Sequence, residues 1–104
     1  MYITTNPKKT VLYTGMTNDL ESRIIEHYRN RGNKKTFAGR YFAYCLIYFE
    51  AFGTPDQAIE REKEVKDWNR KKKEDIIKAF NPSWRFLNKD ITVWPPHDNA
   101  DFRY

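Results

Sequence analysis

The stretch Tyr13–His27, YTGMTNDLESRIIEH, joins a strand end, a glycine turn and a helix. Its second half repeats apolar residues at helical spacing (Leu20, Ile24, Ile25, Tyr28), which predicts a helix over about 18–30. Asn18 followed by Glu21 fits a capping box at its start. Arg23 and His27 stand four positions apart and so share a helix face. At 100° per residue His27 falls about 20° from Leu20 and Arg23 about 60°, so both border the buried side. A tyrosine at a strand end, a guanidinium and an imidazole thus meet beside a glycine turn, a set able to receive a phosphate. Plainer roles stand beside this one. Arg23 pairs with Asp19 one turn earlier, or His27 is a half-buried side chain bonded to backbone.

Upstream, Tyr2–Thr5 (YITT) and Thr10–Tyr13 (TVLY) are β-prone runs around the turn signal Asn6-Pro7-Lys8-Lys9, so residues 2–15 read as a hairpin. With so little chain before Tyr2, its first strand is expected to be short and frayed. Downstream, Arg29–Arg40 holds five cations, no acid and two glycines, and reads as a loop. Arg29, Arg31, Lys34, Lys35 and Arg40 there are candidate phosphate contacts, against the alternative of a solvated loop. Tyr41–Phe49 is a run of nine apolar or aromatic residues and reads as a buried strand.

Thr54, Pro55 and Gln57 supply an N-cap, a proline at the first helical position and a polar third residue, so a second helix starts there. Ala58, Ile59 and Val65 form its apolar stripe, and Glu62 falls inside it. A carboxylate on a buried face is costly unless it is paired or ligates a metal. Lys66, four residues on, is the pairing alternative, but buried ion pairs stabilise poorly, which favours a functional carboxylate. The basic run from Trp68 to Lys73 marks a bend before a last helix, whose apolar positions are Ile76, Ile77 and Phe80, ending at Asn81-Pro82. Lys66, Arg70 and Lys72 are further candidate phosphate contacts, although residues 59–78 carry six acids against eight bases. Trp84, Phe86 and Leu87 are expected to pack back on the core. Residues 91–104, rich in proline and aromatics, read as an irregular tail after a domain over 1–90.

The 104 residues make one domain, 39% hydrophobic and 16% aromatic, which excludes general disorder. A net charge of +5 favours nucleic acid as partner. The single cysteine, Cys45, excludes internal disulfides and Cys-based zinc clusters, and its apolar surroundings mark a buried, inert thiol. No apolar run approaches the ~20 residues that span a bilayer, so a cytoplasmic protein without membrane contact is expected. Nothing here has the spacing of a Ser/His/Asp set, a nucleotide loop or a histidine zinc site. A lone carboxylate suits one hard ion, Mg²⁺ or Mn²⁺, that keeps most of its waters. That ion, a guanidinium and phenol or imidazole groups suffice for phosphodiester hydrolysis.

Taken together, Tyr2-Ile3-Thr4, Tyr13-Thr14-Gly15-Met16-Thr17-Asn18-Asp19-Leu20, Arg23 and His27 resemble the GIY-YIG nuclease signature. Ala58-Ile59, Arg61-Glu62-Lys63, Lys66-Asp67-Trp68, Arg70, Lys72 and Asn81-Pro82-Ser83-Trp84 resemble later blocks of its small stand-alone members. These are similar to the nuclease domain of the bacterial repair excinuclease. The resemblance covers residues 2–87. It implies an α/β chain of the α+β type, with a three-stranded antiparallel sheet flanked by helices. It also implies divalent-metal-dependent cleavage of phosphodiesters, with DNA as partner and repair or recombination as setting. Under it Tyr2 and Tyr13 are the motif tyrosines, one of them activating water. Arg23 stabilises the transition-state phosphate, His27 orients water or moves a proton, Glu62 ligates the metal and Asn81 is a supporting polar residue. The first motif lacks its glycine and much of its strand, which leads to the expectation of a misplaced Tyr2 phenol. Two other roles stand open: a nucleic-acid-binding module with weak or lost catalysis, and an interaction protein docking through its aromatic tail.

Overall fold

The computed structural model describes residues 1–96. Three strands, β1 (Tyr2–Thr5), β2 (Leu12–Gly15) and β3 (Cys45–Phe49), form one antiparallel sheet in the order β2-β1-β3. Five helices surround it: α1 (Leu20–Arg29), α2 (Phe37–Arg40), α3 (Pro55–Lys66), α4 (Arg70–Phe80) and α5 (Asn88–Ile91). This is the α+β architecture that the sequence implied. None of these helices is long and apolar enough to cross a membrane. Of the expected tail, residues 97–104 lie outside the described residues.

The expectation of a frayed first strand is overturned. β1 pairs with β2 on one side and β3 on the other, and all four of its residues are buried. Its position in the middle follows from β3, a distant segment that supplies the second partner. Alternation along the strands splits the core into two layers. Ile3, Ile47, Val65 and Ile77 pack on the face covered by α3 and α4. Tyr2, Ile24, Leu46 and Leu87 pack on the face covered by α1, with Ile91 and Trp94 against them. Tyr2 therefore sits in the sheet's centre, and the strand that frames the site is also the strand that holds the fold.

Helix starts follow local chemistry. Thr54 caps α3 as the sequence indicates, its hydroxyl accepting from the Gln57 amide at 3.3 Å. The start of α1 differs by one residue from the expected Asn18. Asp19 caps it, accepting from the Ser22 amide at 3.1 Å and the Ser22 hydroxyl at 2.8 Å. Asp19 is committed to the cap, and Arg23 pairs with Glu26 instead of the expected Asp19.

A loop reading and a strand reading are corrected. Residues 29–40 contain a helix, α2, capped by the Thr36 hydroxyl, and Tyr41–Tyr44 lead into β3 without joining it. Phe42 takes a left-handed φ of 56°, which strand pairing does not accommodate. Leu87 is buried as expected, whereas Phe86 is exposed beneath Lys9. The segment from Leu87 to Asn88 also covers β3's outer edge. The Leu87 amide donates to the Leu46 carbonyl at 2.7 Å, and Asn88 Oδ1 accepts from the Leu46 amide at 2.9 Å. The open edge of the strand is thereby satisfied at Leu46.

Candidate active site

Tyr2 and Gly15 are cross-strand partners, and the Tyr2 ring leans over the glycine. Gly15 has an ordinary strand backbone, so it is needed for room: a β-carbon there would lie 2.5 Å from the Tyr2 hydroxyl. That hydroxyl reaches α1. It lies 2.8 Å from His27 Nε2, and Arg23 Nε donates to it at 3.3 Å. The shortened first motif therefore does not misplace the phenol, because pairing on both sides of β1 fixes it. The Tyr13 ring closes the group, 6.2 Å from the Tyr2 ring and 5.3 Å from the His27 ring between centroids. Its phenol stands near both Tyr2 and Arg23. Sequence spacing placed Arg23 and His27 on one face. The structure adds that β1 and β2 deliver both phenols to that same face.

Burial keeps Tyr2 and His27 neutral beside the Arg23 guanidinium. Burial pushes the Tyr2 phenol up to about 12, and the bond from Arg23 only partly offsets this. Burial, reinforced by the charge of Arg23, lowers His27 to about 4. At neutral pH the imidazole is therefore uncharged. Arg23 has no acceptor, so the Tyr2 oxygen accepts from it and the single Tyr2 proton is free to point at Nε2.

Glu62 stands on α3. Its side chain is 17% exposed, and its partner is Lys66 Nζ at 2.6 Å, itself half exposed. One turn earlier, Ala58 lines a cleft of about 430 Å³ together with Met1, Tyr2, Leu20 and Phe49. α3 is held against the sheet by Arg61, which reaches both oxygens of Glu50, just past the end of β3, at 3.1 and 3.2 Å. No three His, Cys, Asp or Glu side chains cluster as a ready metal cage among the described residues. The donors that are present fit a hard cation held by one carboxylate and water, because the exposed Lys66 head can turn out to solvent and give way.

The remaining candidates separate. Asn81 is buried at the end of α4 and committed to backbone: its amide nitrogen donates to the Ile47 carbonyl (3.0 Å) and the Arg85 carbonyl (2.8 Å), and its oxygen accepts from the Arg85 amide (3.1 Å). What Asn81 supports is the seam between α4 and β3. Arg70 is engaged by Glu74 at 2.8 Å and by the Thr10 carbonyl at 2.9 Å. It lies at the hairpin turn, away from the Tyr2–Gly15 end. Lys72 covers the Trp68 ring at 4.4 Å. Arg31 lies over the Tyr28 ring at 3.8 Å, and Arg40 donates to the Lys34 carbonyl at 3.1 Å. Lys34, Lys35 and Arg29 are on the exposed surface before β3. Cys45 is buried, and burial raises its thiol to about 12, as suits an inert side chain. Sequence reading missed Phe37, whose ring lies nearly parallel to Tyr13 at 6.3 Å.

Comparison with known proteins agrees with this geometry. Residues 1–75 match the model of the GIY-YIG catalytic domain. The chain is 42% identical over 66 residues to a UPF0213 protein of Staphylococcus saprophyticus, covering 64% of this chain and 78% of that one. It is 43% identical over 69 residues to a UPF0213 protein of Bacillus pumilus (66% and 68% covered). A UPF0213 protein of Haloquadratum walsbyi is 43% identical over 65 residues (62% and 71%). No solved structure matches significantly. Two phenols from paired strands, an arginine and a histidine from the first helix, and a family match running from Met1 into α4 lead to one conclusion: this chain belongs to the GIY-YIG nuclease family.

Proposed function

We propose that this chain is a divalent-metal-dependent endonuclease that hydrolyses phosphodiester bonds in DNA. The observation that carries the reading is the Tyr2 hydroxyl, held between Arg23 Nε and His27 Nε2 with Tyr13 beside it. A substrate phosphate is placed by Arg23, whose guanidinium matches phosphoryl oxygens and strengthens its hold as charge develops on them. Tyr13, the less buried phenol, faces the attacking water. The water passes a proton to Tyr13, Tyr13 passes its own to Tyr2, and Tyr2 passes its own to His27 Nε2. Hydroxide and imidazolium are the net products of that relay. Burial is the main cause of the depressed His27, and a phosphate against Arg23 cancels the second, the guanidinium charge, and so raises the imidazole's affinity for the proton in part. Glu62 would hold the Mg²⁺ or Mn²⁺ ion, which supplies positive charge to the phosphoryl oxygens when bound.

The test is nicking of labelled branched, flapped and plain duplex DNA with Mg²⁺ or Mn²⁺, using wild type, Glu62→Gln and Arg23→Ala. Cleavage should require metal and drop by about 10²–10³ in each variant, while Glu62→Gln keeps its affinity for DNA. Glu62→Gln cleaving at the wild-type rate would falsify the assigned metal ligand. Binding without cleavage of any substrate would replace the nuclease reading with that of a binding module.

A further inference from the structure

Next to the proposed catalytic group the surface carries large aromatic rings that the mechanism leaves unused. Phe37, on α2, is 48% exposed, and Tyr41, just after it, is 43% exposed. Phe37 lies nearly parallel to Tyr13 (6.3 Å, 23° between planes), and the Tyr41 ring lies 4.8 Å from that of Phe37, tilted by 51°. The three rings form a contiguous series from Tyr13 through Phe37 to Tyr41, the last two exposed.

The segment bearing this row is held in place. Thr36 caps α2, the Gly32 amide bonds the Gly39 carbonyl at 2.8 Å, and the Ala43 amide bonds the Ala38 carbonyl at 2.9 Å. Gly39 is packed so closely that a β-carbon would lie 2.5 Å from the Asn33 carbonyl and 2.9 Å from that of Asn30. The neighbouring Phe42 keeps a left-handed backbone, a strained conformation that the surrounding bonds maintain. The backbone that carries Phe37 and Tyr41 is thus fixed, with both rings exposed.

Charge selects the occupant. Residues 29–40 contribute five cations, and no acid occurs from His27 through Phe49. A second copy of the chain would bring like charge against like, whereas a polyanion is attracted. Among polyanions, one with flat π faces also suits the rings. We infer that Phe37 and Tyr41 form a stacking platform for a nucleobase turned out of its duplex stack, next to the phosphate at Arg23. This rests on the nuclease reading for the position of that phosphate. A base still paired in B-form DNA hides its face, so the platform favours nucleotides already unpaired or readily extruded.

The experiment uses a short single-stranded DNA oligonucleotide carrying 2-aminopurine at successive positions, with the full chain in EDTA so that nothing is cut. Stacking quenches 2-aminopurine fluorescence. Wild type should quench it at one or two adjacent positions, and Phe37→Leu should abolish the quenching. Phe37→Leu should also weaken binding by about 5- to 150-fold, the range for one lost base stack. Phe37→Trp should retain both. The dependence of affinity on salt should be unchanged in Phe37→Leu, because no phosphate contact is lost. Equal affinity and quenching in wild type and Phe37→Leu would overturn the platform, and so would a shallower salt slope, which would mean the cationic segment had moved. Quenching by a wild type that never cleaves with Mg²⁺ or Mn²⁺ would leave the platform standing and remove the nuclease reading. Cleavage without quenching at any position would do the reverse. No binding to the oligonucleotide would overturn both.

Discussion

Gly15→Ala isolates the coupling between fold and site. The added β-carbon would stand 2.5 Å from the Tyr2 hydroxyl oxygen, 2.6 Å from its ring carbon Cζ and 3.0 Å from Tyr13 Cε2. Carbon atoms pack at about 3.5–4.0 Å, so the Tyr2 ring must retreat by roughly 1 Å. The ring is 1% exposed and packed against Ile24, Leu46 and Leu87, so retreat overfills that layer. Overpacking of this kind costs about 1–3 kcal/mol. The same retreat stretches the 2.8 Å and 3.3 Å bonds to His27 and Arg23 past hydrogen-bonding range, which adds about 1 kcal/mol or more. A total of about 2–4 kcal/mol lowers the unfolding midpoint by some 10–25 °C in a domain of this size. The assay is urea and thermal unfolding of wild type, Gly15→Ala, Tyr2→Leu and the double variant. In the Tyr2→Leu chain there is no ring to strike, so Gly15→Ala should cost at least about 1 kcal/mol less than in wild type, the coupling expected of touching residues. An equal cost in both backgrounds would place the damage in the β2 backbone, and the steric reasoning would be wrong.

Titration of His27 gives a second expectation. Burial first, and then the Arg23 charge, holds it at about 4, whereas an unfolded histidine titrates near 6.5. Above pH 6.5 both states are neutral at this position. Below it the unfolded chain takes up a proton that the folded chain refuses, so stability falls as the pH drops, by up to about 3 kcal/mol in all. Urea midpoints between pH 6.5 and 5, above the carboxylate range, should therefore decline in wild type and stay nearly level in His27→Gln; parallel slopes would rule out a suppressed imidazole. Asn81→Ala removes three bonds to backbone and should cost about 2–3 kcal/mol while leaving kcat of the folded fraction unchanged. A large fall in kcat without loss of stability would give Asn81 a direct part in the chemistry.

What the sequence disclosed was local. Thr54-Pro55-Gln57 announces α3 because a cap is settled within one helical turn. Arg23 and His27 share a face because 3.6-residue periodicity requires it. The Asn18 and Asp19 readings differ by one residue because both side chains can cap. The choice fell to Asp19, whose carboxylate holds both the amide and the hydroxyl of Ser22. Readings that depended on distant chain went astray. Nothing near Tyr2 reveals that β3, about forty residues later, flanks β1 and makes a short terminal strand the sheet's centre. Phe37 was lost for a related reason: counting cations in residues 29–40 concealed a capped turn of helix carrying a ring toward Tyr13.

The two kinds of information meet at Tyr2, and this explains why its neighbourhood tolerates little change. A phenol on a surface loop could be adjusted without harm to the core. Here the phenol's ring is core, and its hydroxyl is the junction of three elements: β1 carries it, α1 bonds it through Arg23 and His27, and β2 makes room for it at Gly15. Rigidity of that kind suits the proposed proton transfer, since the Tyr2 hydroxyl already stands 2.8 Å from His27 Nε2. It also sets the outcome for the outer rings. Phe37 meets Tyr13 from the solvent side and Tyr41 lies beyond it. These two are exposed and lie outside the core, while Tyr2, Gly15 and His27 are constrained by the fold itself.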